Sequence, residues 1–122
     1  MTEEKKVLLA DDDPRMRALL AMSLGNHFTL LEAADGDQAL EMARRAKPDL
    51  VLLDVSMPGI LGLEVCRLLK QDRETSDIVV VMLTGRDAAR DKEEALEAGA
   101  TDYMTKPFSP KALLDKVVEL LS

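Results

Sequence analysis

Six polar side chains stand where apolar runs stop: Asp11, Asp12 and Asp13 after VLLA, Asp54 after LVLL, Thr84 after IVVVML, and Lys106 beyond ATDYM. Clustered carboxylates repel one another and need a cation or a raised pKa to stay together at neutral pH. Ligand sets made only of oxygen favour Mg²⁺, which takes one or two carboxylates, keeps waters and binds phosphate oxygens. A carboxylate can also attack phosphorus and form an aspartyl phosphate. That reaction needs positioning and charge neutralisation, to which a metal, an ammonium and a hydroxyl are suited. Taken singly, each residue has a plainer reading. Asp13 before Pro14 is a helix cap rather than a ligand, Thr84 is a β-branched strand end, and Lys106 is a surface lysine. Asp54 alone divides evenly between a cap and a functional group. The combination at four strand ends is far more specific than any member.

The intervening pattern explains how they meet. Candidate strands are 7–10, 28–33, 50–53, 78–83 and 100–104, and VLLA, LVLL and IVVVML are continuously apolar, as in strands covered on both faces of a parallel sheet. Helices fill the gaps. Asp13-Pro14 opens one to about Leu24, closed by Gly25. Asp35 and Gln38 have capping-box spacing for a second, ending near Ala46. A third covers 62–71, a fourth about 88–98 before Gly99, and Ser109-Pro110 caps a fifth. Regular alternation of this kind implies a single α/β domain over 1–122, with right-handed crossovers and helices on both faces. In such sheets the ligand site lies at the carboxyl ends of the strands.

Composition sets outer bounds. The 47% hydrophobic and 32% charged residues of this 122-residue chain suit a folded domain. A net charge of −7 disfavours direct contact with nucleic acid or an anionic membrane. Lone Cys66, a leading MTEEKK without a signal-peptide core, and no run near roughly 18 apolar residues point to a cytoplasmic location.

Over essentially its whole length the sequence resembles the receiver (CheY-like) family of two-component response regulators. The segments that carry this are VLLADDDPRMR, AADGDQAL, PDLVLLDVSMPG, GLEVCRLLK, VVVMLTGRD, ALEAGATDYMTKPF and SPKALLDKVVELL. The resemblance implies a flavodoxin-like five-stranded sheet in order 2-1-3-4-5 and a phosphorylation-dependent switch. Asp54 is implied as phosphoacceptor, and Asp11 and Asp12 as the Mg²⁺ pair, Asp12 the favoured direct ligand, with Mn²⁺ able to substitute. The Ser56 backbone carbonyl would complete the protein ligands with Asp54. Thr84 and Lys106 would bind the phosphoryl group, Lys106-Pro107 would be cis, and Tyr103 would turn with Thr84. The implied phosphodonor is a histidine kinase or histidine phosphotransfer protein. Output is expected through the fourth helix, fifth strand and fifth helix, toward a downstream protein or output domain outside this chain. The default state is a monomer, with dimerisation through that face on phosphorylation as the alternative. Such a domain is no enzyme beyond its own phosphotransfer and slow autodephosphorylation.

Some residues depart from the pattern or carry plain readings. Leu61 stands where the family often has Asp, and Ser56 and Arg86 occupy positions that tune phosphoryl lifetime. His27 reads as a turn residue, Cys66 as core filler, and 86–97 as a solvated helix face. Met16 and Leu19 read as core or as part of a phosphodonor docking site. Three rival functions compete with this one. In a haloacid-dehalogenase-type phosphatase, Asp11 would be the nucleophile and Asp13 the acid; the short chain, lack of a cap insertion and Pro14-Arg15 count against it. A phosphorylation-independent docking module usually loses one of the acids, the hydroxyl or the lysine, and all are present here. An electron-transfer flavodoxin would carry Gly, Ser and Thr where these loops carry acids.

Overall fold

The computed structural model describes residues 4–85 and 88–122, with the backbone alone for 88–91. Chain order is β1 (Lys6–Ala10), α1 (Pro14–Leu24), β2 (Thr29–Ala33), α2 (Gly36–Ala46), β3 (Leu50–Asp54), α3 (Gly62–Gln71), β4 (Val79–Thr84), α4 (Ala88–Glu97), β5 (Asp102–Thr105) and α5 (Pro110–Leu121). The strands pair in parallel in the order β2-β1-β3-β4-β5. The winding reverses between β1 and β3, so a crevice opens at their carboxyl ends.

The continuous apolar runs are explained by burial on two faces. Alternate residues of one strand point to opposite sides. Leu8, Ala10, Val51, Leu53, Val80 and Met82 pack with Ala39, Leu40 and Ala43 of α2 and Val65, Cys66 and Leu69 of α3. Val7, Leu9, Leu50, Leu52, Val81 and Leu83 pack with Leu20 and Leu24 of α1 and Leu113 and Val117 of α5. Each fully buried Val, Leu or Met among them stabilises the fold by roughly 1.5–3 kcal/mol over its exposed state. This two-sided core makes the central strands a rigid base for whatever stands at their ends. Among the described residues no helix is long and apolar enough to cross a membrane.

The helix starts follow local chemistry. The Asp13 carboxylate accepts from the Arg15 N–H at 2.9 Å, and the Ser109 hydroxyl accepts from the Ala112 N–H at 3.0 Å. Asp35 accepts from the Gln38 N–H at 2.8 Å, while the Gln38 side chain accepts from Ala34, one residue before the usual capping-box partner. Strand limits differ slightly from the sequence expectation. β2 starts one residue later than expected, and β5 runs 102–105 instead of 100–104. The Ala100 N–H closes back onto the Ala95 carbonyl, and Gly99 takes φ 95°, so residue 100 still belongs to the end of α4.

Two glycines let neighbouring elements touch the loop after β3. A Cβ on Gly62 would collide with the Asp54 carbonyl oxygen, and one on Gly36 would collide with that of Ile60. The Gly36 N–H also donates to the Pro58 carbonyl at 3.4 Å, so the first turn of α2 braces that loop. Gly62→Ala is therefore expected to cost about 1–3 kcal/mol through overpacking. Urea unfolding should show a lower midpoint with an unchanged slope, and an unmoved midpoint would mean the loop yields freely.

Candidate functional site

β1 and β3 each run apolar to their last core residue and then present acids at the crevice. Asp11 is buried, and its backbone N–H donates to the Ala33 carbonyl at 3.1 Å, one step beyond the paired residues of β1. Its carboxylate accepts from the Asp13 N–H at 2.9 Å and from Lys106 Nζ at 3.1 Å. Asp12 is exposed at the rim. Asp54, also buried, receives the Ser56 N–H at 3.2 Å and Lys106 Nζ at 3.3 Å, both on Oδ1. One carboxylate oxygen from each of Asp11, Asp12 and Asp54 lies within 4.8 Å of the others.

The electrostatics follow from that crowding. Burial, then the Asp11 carboxylate, push the Asp54 pKa above its ordinary value, and Lys106 and the Ser56 N–H only partly oppose them. Burial works against the Lys106 charge, but Asp54 and Asp11 outweigh it and hold its pKa up. Three carboxylates against one ammonium leave two formal negative charges, the amount one divalent cation balances. Oxygen donors alone, in a half-open rim, fit Mg²⁺ better than a soft metal.

Thr84 is fully buried at the end of β4, and its hydroxyl donates to the Met104 carbonyl at 3.2 Å. Tyr103 is half-buried on β5 with Lys92 Nζ 5.3 Å from its ring centroid. The Lys106-Pro107 peptide is cis, and the Lys106 N–H donates to the Thr84 carbonyl at 2.8 Å. Asp11, Asp12, Asp54 and Lys106 thus form one cluster. Thr84 stands on the adjoining strand but spends its hydroxyl on Met104. Ser56 is exposed.

Asp13 caps α1, as its place before Pro14 suggested. His27 is exposed in the turn before β2. Cys66 is buried against the Ala98 carbonyl, and burial pushes its thiol up to about 11, which leaves it unreactive at neutral pH. Met16 packs on the α1–α5 side of the core, whereas Leu19 is 37% exposed and not core. Leu61 is 58% exposed and starts α3 without a side-chain cap. Arg86 lies outside the described residues.

Arg17 belongs to this site although the sequence reading gave it no role. Its Nη1 donates to the Asp11 backbone carbonyl at 2.7 Å, and its Nε donates to Glu32 at 2.9 Å. A signal existed: a cation in the opening turns of a helix, where the macrodipole favours anions, asks for a compensating partner.

The family pattern described as the response regulator receiver domain matches residues 7–118. The chain belongs to that family. Among relatives, the DNA-binding response regulator MtrA of Mycolicibacterium smegmatis is 43% identical over 117 residues, 95% of this chain and 50% of MtrA. The chain spans about half the length of the curated relatives it matches. Among solved structures, the chemotaxis response regulator CheY4 of Vibrio cholerae is 31% identical with a TM-score of 0.90, over 98% of this chain and all of CheY4. The BeF₃-activated receiver domain of DrrB is 30% identical with a TM-score of 0.88, over 98% of both chains. Receiver domains are signalling domains that generally bind Mg²⁺ at an acidic pocket and work with histidine kinases and output domains. Membership removes the dehalogenase-type reading, and Asp13, tied to the Arg15 N–H at 2.9 Å, serves as a cap.

Proposed function

We propose that Asp54 accepts a phosphoryl group, and that the observation carrying this is the Lys106 ammonium bonded to both Asp11 and Asp54 beside a third carboxylate, Asp12. Asp11, Asp12, Asp54 and the Ser56 carbonyl would hold Mg²⁺, or Mn²⁺ in its place, and the ion supplies positive charge next to the reacting oxygens. An Asp54 carboxylate oxygen attacks phosphorus, forming an O–P bond as the N–P bond of a donor phosphohistidine breaks. The electron pair stays on the imidazole nitrogen, which takes a proton from solvent. Lys106 faces the incoming phosphoryl oxygens and stabilises charge as the bonds exchange.

Thr84 makes the connection to output. To reach a phosphoryl group on Asp54 its hydroxyl must leave the Met104 carbonyl, exchanging a neutral hydrogen bond for a stronger charge-assisted one. Met104 follows Tyr103 on β5, so the exchange loosens the strand that carries the proposed switch residue. The face of α4, β5 and α5 is then biased between two arrangements read by a downstream protein or output domain. The −7 charge argues that this domain itself does not touch DNA. A monomer, with dimerisation through that face on phosphorylation as the alternative, and a cytoplasmic setting complete the reading.

Thr84→Ala is expected to slow phosphorylation of Asp54 by less than about tenfold, since no charge is removed. It should abolish the phosphorylation-induced change in the Tyr103 ring resonances, and a Tyr103 response equal to wild type would rule out coupling through Thr84. Beryllofluoride, a phosphoryl mimic, tests the site as a whole. With Mg²⁺ it should shift the amide resonances of Thr84 and Lys106, and without Mg²⁺ it should not. Shifts independent of Mg²⁺ would refute the assigned ligand set.

A further inference from the structure

The end of β1 is held by more groups than the strand needs. Its paired residues stop at Ala10, opposite Ala33 and Leu53. The Asp11 N–H is then taken by the Ala33 carbonyl at 3.1 Å, and the Asp11 carboxylate by the Asp13 N–H and Lys106. The remaining polar group of the residue, its backbone carbonyl, accepts from Arg17 Nη1 at 2.7 Å. Arg17 is itself anchored by Glu32 at 2.9 Å, and its side chain is only 18% exposed. Glu32 lies on β2, so the guanidinium ties α1 to the two neighbouring strand ends.

The Asp11 carbonyl and the Asp12 N–H belong to one planar peptide. Fixing that carbonyl fixes the plane from which the exposed Asp12 side chain departs. An arginine four residues into α1 is disfavoured by the helix dipole, and ordering its long side chain costs entropy. A role in aiming Asp12 accounts for its being held there. We infer that Arg17 is a positioning residue for the cation site: by clamping the Asp11–Asp12 peptide against Glu32, it preorganises Asp12 for Mg²⁺. This rests on the proposed assignment of Asp12 as a direct ligand.

Charge and position make opposite demands, which allows a clean test. Removing a cation beside a divalent-metal site would tighten Mg²⁺ binding if charge alone mattered. Loss of positioning weakens it, by about 10-fold for a group behind a metal ligand. Calorimetric titration with MgCl₂ on wild type, Arg17→Gln and Arg17→Lys is therefore decisive, with metal-free thermal unfolding as a check on folding. Arg17→Gln is expected to weaken Mg²⁺ about 10-fold, and the charge-preserving Arg17→Lys by roughly threefold or more, because an ammonium lacks the fixed fork that serves both acceptors. At saturating Mg²⁺ the phosphorylation rate should return to within about threefold of wild type. The amide resonance of Asp12 should be displaced in both metal-free variants.

An Arg17→Gln affinity equal to or tighter than wild type overturns the inference. If that variant fails to fold, Arg17→Lys decides, and wild-type affinity there overturns it. A wild-type chain that binds no Mg²⁺ overturns the site reading itself, a different failure from wild-type binding shared by both variants.

Discussion

Replacing Lys106 with Met should slow phosphorylation of Asp54 by roughly 100-fold at saturating Mg²⁺, the scale for removing one preorganised donor from a reacting oxygen. Methionine keeps the apolar stem and deletes the ammonium that spans Asp11 at 3.1 Å and Asp54 at 3.3 Å. The loss falls on the chemical step because the charge faces the phosphoryl oxygens, whose charge redistributes as the bonds exchange. It also leaves two buried carboxylates side by side without their ammonium, so the metal-free variant should be less stable at neutral pH by about 2–4 kcal/mol. Added Mg²⁺ should recover part of that stability but not the rate. A time course of intact mass with acetyl phosphate checks the first statement, and urea unfolding with and without Mg²⁺ checks the second. A rate within threefold of wild type would take Lys106 out of the mechanism.

Asp54→Asn should act in the opposite direction on stability. Burial and the Asp11 carboxylate raise the pKa of Asp54, so its charged form is a strain on the metal-free fold. A neutral amide of the same shape relieves that strain, and at neutral pH the variant should be more stable by on the order of 1–2 kcal/mol. The pH dependence has a definite sign. A carboxyl whose pKa is higher folded than unfolded holds its proton more tightly in the native state, so stability falls as pH rises. The contribution of Asp54 is fully present below its unfolded pKa and lost as pH rises through the raised native value. Asp54→Asn should abolish that slope, and it should weaken the stabilisation of the chain by Mg²⁺. A variant less stable than wild type at neutral pH without metal would contradict the burial and repulsion assigned to Asp54.

The fold was legible because its periodicity is uninterrupted. VLLA, LVLL and IVVVML carry no polar residue, as in strands of a sheet covered on both faces. The helix starts at Asp13, Asp35 and Ser109 were legible because capping depends on residues two or three positions away. Long-range register is where reading the residues alone stopped. The Thr84 hydroxyl finds Met104 only because β4 and β5 pair with Leu83 opposite Met104. Arg17 meets the Asp11 carbonyl and Glu32 only because α1 returns over the ends of β1 and β2. Whether Leu19 is core or docking surface turns on which way α1 faces, and its 37% exposure removes it from the core. The acids were recognisable as a set since they gather just past the ends of apolar strands, whereas the fine roles of Ser56, Thr84 and Tyr103 came from family resemblance and not from spacing.

The most direct test of the central claim is intact mass after incubation with acetyl phosphate, with and without Mg²⁺, for the wild-type chain and Asp54→Ala. One phosphoryl adduct that requires Mg²⁺ and disappears in Asp54→Ala is the expected result. An adduct that persists in Asp54→Ala would place the nucleophile elsewhere, and a wild-type chain that takes up no phosphoryl group would contradict the switch chemistry altogether.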